Sequence, residues 1–169
     1  DAQNHPRLVN GGVILVKAGT YRLTQTVTIN PGITILGEPS GTYIFGSMSE
    51  QPMFRCGRSI KQFELGAPAS VEYSAVQPTD CITFCNLVIA DNLDGYALDG
   101  SNNPKATMTT VPMIQMEHGA NVILDRVSVI GRVNNTFPPL TITKQVIGLD
   151  NVTTANESTS LHIKDSYID

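Results

Sequence analysis

Residues 82–89 run Ile82-Thr83-Phe84-Cys85-Asn86-Leu87-Val88-Ile89. They hold two short runs, Ile82-Thr83-Phe84 and Leu87-Val88-Ile89, with a two-residue corner between them. Apolar residues alternate with others in each run, the period of a half-buried strand. The pattern returns as Val122-Ile123-Leu124 with Val127-Ser128-Val129, and again as Leu161-His162-Ile163 with Ser166-Tyr167-Ile168. The first residues of the copies are 40 and 39 apart, a spacing typical of stacked repeats. A third strand, Met113-Ile114-Gln115-Met116, precedes the pair in the second copy.

One copy has too few apolar residues to bury a face alone. Stacked in parallel at about 4.8 Å, the copies align their apolar positions into ladders and pair their backbones with the copies above and below. A sandwich would instead need hairpins with two-residue turns. Asn10-Gly11, Asp94-Gly95 and Asp99-Gly100 are present, but none joins two matched alternating runs. The expected fold is therefore all-β, a right-handed single-stranded parallel β-helix, a solenoid that forms a section of a longer helix.

Outward from the repeat, the same short runs cover the rest of the chain. Val13-Ile14-Leu15-Val16, Val27-Thr28-Ile29, Ile33-Thr34-Ile35, Tyr43-Ile44-Phe45 and Phe63-Glu64-Leu65 are bounded by Gly, Pro, Asn and Asp. No convincing stretch has helical periodicity. Residues 1–10 read as a partial cap or linker, and 11–169 as coils. Polar segments near 91–110, 132–139 and 153–159 read as projecting loops. In repeat folds such insertions gather on one face, often the binding face.

The 169 residues suit one domain. Only 15% are charged and the net charge is −4. Nucleic acid is therefore not expected as a partner, because phosphate binding needs a basic patch. No apolar run is long enough for a membrane-spanning helix. Cys81 and Cys85 stand four apart in an extended run, about 13 Å, and are too distant to pair. Either could meet Cys56 on a neighbouring coil, but small buried thiols are the simpler reading.

The opening Gly11-Gly12-Val13-Ile14-Leu15-Val16-Lys17-Ala18-Gly19-Thr20-Tyr21 runs on through Val27-Thr28-Ile29 to Pro31-Gly32-Ile33-Thr34-Ile35-Leu36-Gly37-Glu38. This segment resembles the start of the pectate-lyase-like β-helix superfamily, with Lys17 where a Pro is common. The resemblance implies first coils with Gly19-Thr20-Tyr21 at a corner and Gly37 ending a strand. Its members include pectate lyases, polygalacturonases, phage tailspikes that bind or cut surface polysaccharide, and adhesins. The Asn-Thr-Asp, Gly-Asp-Asp and Gly-His motifs of polygalacturonase-like members are missing from this sequence. Fold is thus better specified than chemistry.

Asp91, Asp94 and Asp99 lie in one Asp- and Gly-rich segment. Converging carboxylates there can hold calcium or act as an acid and base pair for glycoside cleavage. Asp before Gly also makes ordinary turns. Tyr96, in the same segment, is the best sugar-stacking candidate. Asp125 and Arg126 form the corner of the second copy, with Asn86 and Asp165 at neighbouring corners. Such a column can bind sugar hydroxyls, or simply satisfy turn backbone groups. Glu117 and His118 adjoin, but successive residues on a strand point to opposite faces.

The resulting expectation is a phage or virion surface segment of the tailspike or tail-fibre kind. It would be extracellular or on the virion surface, homotrimeric, and would present loops to a bacterial surface polysaccharide. The alternatives are an extracellular polysaccharide lyase or glycoside hydrolase, and a structural or adhesin stalk.

Overall fold

A computed structural model describes residues 11–46, 51–57, 81–91, 111–117, 120–136, 139–143, 147–149 and 159–169. For 91, 132–136, 139–143 and 149 only the backbone is described. The described residues form fourteen strands and no helix. In chain order these are β1 (Gly12–Val16), β2 (Gly19–Leu23), β3 (Val27–Ile29), β4 (Ile33–Gly37), β5 (Thr42–Gly46) and β6 (Phe54–Cys56). Next come β7 (Ile82–Asp91), β8 (Ile114–Met116), β9 (Asn121–Ile130), β10 (Arg132–Thr136) and β11 (Pro139–Thr143). The last are β12 (Ile147–Leu149), β13 (Ser160–Lys164) and β14 (Tyr167–Ile168). The protein is all-β, as expected.

Every strand pair except β10–β11 is parallel. An eight-stranded sheet has two arms. The first contains β1, β4, the first halves of β7 and β9, and β13. The second contains β2, β5, the second halves of β7 and β9, and β14. A separate four-stranded sheet contains β3, β6, β8 and β12. In the first four levels the chain visits the first arm, the second arm and the four-stranded sheet, then returns to the first arm one level on. The three sequence copies fall in register, with Ile82 beside Val122 and Val122 beside Leu161.

Alternation makes this stacking possible. In β4 the residues Ile33, Ile35 and Gly37 are buried, while Thr34 and Leu36 between them are half-buried. Register turns such positions into columns. Ile14, Ile35, Phe84, Leu124 and Ile163 form one, from the first arm. Val27, Phe54, Ile114 and Ile147 form another, from the four-stranded sheet. The columns meet in one core, where the Phe54 and Phe84 rings pack edge to face with centroids 5.1 Å apart. Burial falls at the last level. Leu124 is fully buried, whereas Ile163 in the same column is 51% exposed.

The corner between the arms differs from the two-residue corner of the sequence reading. β7 and β9 run through it as single strands, each turned by one left-handed residue, Asn86 (φ 54°) or Arg126 (φ 55°). Asp165 (φ 48°) takes that role in the last level. Asn and Asp tolerate this conformation better than most residues. Earlier levels use other devices. Gly37 ends β4, as the resemblance implied, so close to the next level that a Cβ would collide with the Asn86 carbonyl oxygen. Glu38 then accepts from Lys17 Nζ and the Ala18 amide, both at 2.8 Å. Gly19-Thr20-Tyr21 opens β2 just after that corner.

One segment read as a loop is structured. Residues 132–136 and 139–143 form an antiparallel hairpin, with Arg132 opposite Thr143 and Thr136 opposite Pro139. Val133 pairs with Ile142 and Asn135 with Leu140. Pro138-Pro139 masks the pattern in sequence. Pro139 sits at the first position of β11, a place where proline is compatible with a strand.

Candidate functional site

Connection length separates the surfaces. The two arms are always joined by short turns, 38–41 being the longest. Every long connection instead adjoins the four-stranded sheet. Residues 92–113 and 131–146 lead into it from the second arm, and 57–81 and 150–159 lead away to the first arm. The attachment points of the long connections bracket the four-stranded sheet.

The outward face of that sheet is polar for a simple reason. In β6 and β8 the outer residues of a three-residue strand are buried and the central one faces away. Thr28, Arg55 and Gln115 are central residues that lie side by side in register, and Gly148, next in line, is buried. Thr28 and Arg55 are exposed and Gln115 is half-buried. Arg55 Nη2 reaches Gln115 Oε1 at 3.5 Å, at the long limit of a hydrogen bond. Beyond β8, Glu117 donates its amide to the Cys56 carbonyl at 3.0 Å. Its carboxylate lies 3.9 Å from where a Gly57 Cβ would stand. A guanidinium, a carboxamide, a carboxylate and a hydroxyl thus line one strip, the donor and acceptor mix that binds sugar hydroxyls and carboxylates.

Burial pushes the Cys56 thiol beneath this strip up to about 12, with the Glu117 carboxylate adding to the effect. Cys56 and Cys85 are buried and all three cysteines are free, so the buried-thiol reading describes Cys56 and Cys85, and Cys56 makes no disulfide with either.

The residues singled out in sequence fall in several places. Asp91 is the last residue of β7, at the attachment point of a long connection. Asp94, Tyr96, Asp99 and His118 lie outside the described residues. Asp125 and Arg126 sit at the corner between the arms, away from the strip. There Arg126 Nε donates to Asn86 Oδ1 at 2.7 Å and Nη2 approaches Cys85 Sγ at 3.3 Å. Asp125 Oδ2 lies 3.4 Å from Arg126 and 4.0 Å from Lys164, while its Oδ1 is buried without a hydrogen-bond partner. The left-handed residue of the second copy is Arg126, not Asp125, so Arg126 stacks with Asn86 and Asp165. Its side chain satisfies its neighbours in the column, the structural role that corner residues commonly have.

Comparison with protein families, with curated proteins and with solved structures finds no match to this chain. Among the described residues no three His, Cys, Asp or Glu side chains group as metal ligands. Arg55 and Gln115 were not singled out from sequence. Each is a lone polar residue inside a three-residue run, and only the register that stacks them reveals a strip.

Proposed function

We propose that this chain is a right-handed parallel β-helix whose polar four-stranded face binds a polysaccharide. The observation that carries the reading is the coincidence of the Thr28–Arg55–Gln115 strip with the attachment points of every long connection. A linear sugar chain suits a polar strip that runs across three levels, and Arg55 suits an acidic sugar. The resemblance of residues 11–38 to pectate-lyase-like proteins favours the same ligand class. The sparse charge and the missing hydrolase motifs favour a surface spike over an enzyme. In that reading the protein is a tailspike or tail-fibre type segment on a virion surface, assembled as a homotrimer.

A lyase or hydrolase is the second reading, favoured by the position of Asp91 at the start of a long connection into the four-stranded sheet. Asp94 and Asp99 follow in the same connection, where bound calcium would offset their charge. The test is retention and depolymerisation of acidic and neutral bacterial surface polysaccharides, with and without calcium. Retention without shortening supports the spike. Shortening supports the enzyme. Neither, on any sugar, would leave a structural stalk.

A further inference from the structure

Gly57 interrupts the side chains of the polar face, and the fold does not require a glycine there. It follows β6 and donates its amide to the Ile29 carbonyl at 3.0 Å, as Glu117 in the next level donates to the Cys56 carbonyl at 3.0 Å. The parallel register therefore runs one residue beyond the strands. Asn30, Gly57 and Glu117 form a second outward column, beside that of Thr28, Arg55 and Gln115. The φ of Gly57 is not positive. A Cβ there would stand 3.5 Å from the Ile29 carbonyl oxygen and 3.9 Å from Glu117 Oε2, both ordinary contacts. Gly11, Gly37 and Gly46, by contrast, each leave less than 3.0 Å for a Cβ. A glycine that neither backbone nor packing demands suits a place where a ligand approaches the backbone closely.

Charge points to the same place. Among the described residues neither Arg55 nor Glu117 forms an ion pair, and Arg55 makes only the long hydrogen bond to Gln115. Two residues along the strand and one level across put their Cα atoms about 8 Å apart, on a path that passes over Gly57. From level to level the face offers a hydroxyl, then a guanidinium beside the bare Gly57, then a carboxamide beside a carboxylate.

We propose that this face selects a heteropolysaccharide in which an acidic unit stands between neutral units. The inference rests on the carbohydrate reading above. The sugar chain runs along the stack, where one pyranose unit of an extended chain covers about one strand spacing of roughly 4.8 Å. Its acidic unit lies on Gly57 with the carboxylate on Arg55, a charge-assisted pair. The next unit lies beside Gln115 and Glu117 and donates its hydroxyl hydrogens to the Glu117 carboxylate. A second sugar carboxylate at that level would meet Glu117, like charge against like, and this repulsion sets the specificity.

The test compares the affinity of the full chain for three oligosaccharides of equal length, at about 0.15 M salt, where distant charges are screened. They are alternating glucuronate and N-acetylglucosamine, a homopolymer of galacturonate, and that homopolymer fully methyl-esterified. The alternating chain should bind at least about tenfold more tightly than either of the others. Glu117→Gln should move its ratio to the homopolymer toward one. Gly57→Val should keep the wild-type Tm and lower affinity for the alternating chain at least about tenfold, because its methyl groups occupy the place of the ring. Gly57→Ala should show a smaller loss and covers the case in which the valine variant fails to fold. Wild-type affinity in the folded Gly57 variants, or an unchanged ratio in Glu117→Gln, would overturn the proposal. Homopolymer bound as tightly as the alternating chain, with binding still lost in Arg55→Ala, would overturn it and leave the carbohydrate reading standing. So would failure of all three while bacterial surface polysaccharides are still retained. Failure of every sugar would remove both.

Discussion

Replacing Phe84 by Ala removes the largest fully buried side chain of the core. Its ring packs edge to face on Phe54 at 5.1 Å and stands between Ile35 and Leu124 in one column. Large-to-small changes at such sites cost about 3–5 kcal/mol through lost transfer energy and the cavity left behind. Part of that is the aromatic pair, roughly 0.5–1.5 kcal/mol. For a chain of this size the expected drop in Tm is about 6–20 °C. Ile163→Ala is the matched control. It lies in the same column, but at 51% exposure it should cost less than about 1 kcal/mol. Urea unfolding followed by circular dichroism, with equal m-values for the two variants, gives both numbers. Equal losses for Phe84 and Ile163, or a loss at Phe84 under about 1 kcal/mol, would refute the stacked-column account.

Other consequences are separable. Gly37→Ala should destabilise by about 1–3 kcal/mol or more, because its Cβ would collide with the Asn86 carbonyl oxygen and lie 2.9 Å from Thr42 Cβ; wild-type stability on thermal unfolding would show that the levels are not this close. The Cys56 thiol, pushed from 9.0 up to about 12 in the fold, stabilises the protein fully below about pH 9 and loses that contribution as pH rises toward 12. The urea midpoint under reducing conditions should therefore fall more from pH 8 to pH 10.5 in the wild type than in Cys56→Val, and equal slopes would place Cys56 in water. Asn at Asp91, Asp94 and Asp99 together should abolish any sugar depolymerisation by the chain, and cleavage that survives would remove this segment from the catalytic role.

The fold was legible where apolar residues recur at a fixed long spacing. Ile82, Val122 and Leu161 start the three copies, and the same residues pair across the levels. A strand buried on one face must keep its register, because a slip of one residue turns its apolar set outward. The hairpin of β10 and β11 was hidden because Pro138-Pro139 reads as a breaker in sequence. The corner was read one residue too long. A single left-handed Asn86 or Arg126 turns the chain without ending the strand, and sequence carries no sign of φ at a residue such as arginine. The candidate site was least legible. Asp-rich segments draw attention because carboxylates are chemically suggestive, whereas Thr28, Arg55 and Gln115 lie far apart in sequence and become neighbours only through parallel register.

Affinity for an acidic polysaccharide, compared between Arg55→Ala and Tyr43→Ser, decides whether the sugar lies on the four-stranded face or on the arms. Removing the guanidinium from the strip should weaken binding at least about tenfold, as expected for a lost charge-assisted hydrogen bond. The serine at Tyr43, on the second arm, should leave affinity per chain unchanged. Wild-type affinity in Arg55→Ala together with a loss in Tyr43→Ser would contradict the account and place the sugar on the arms.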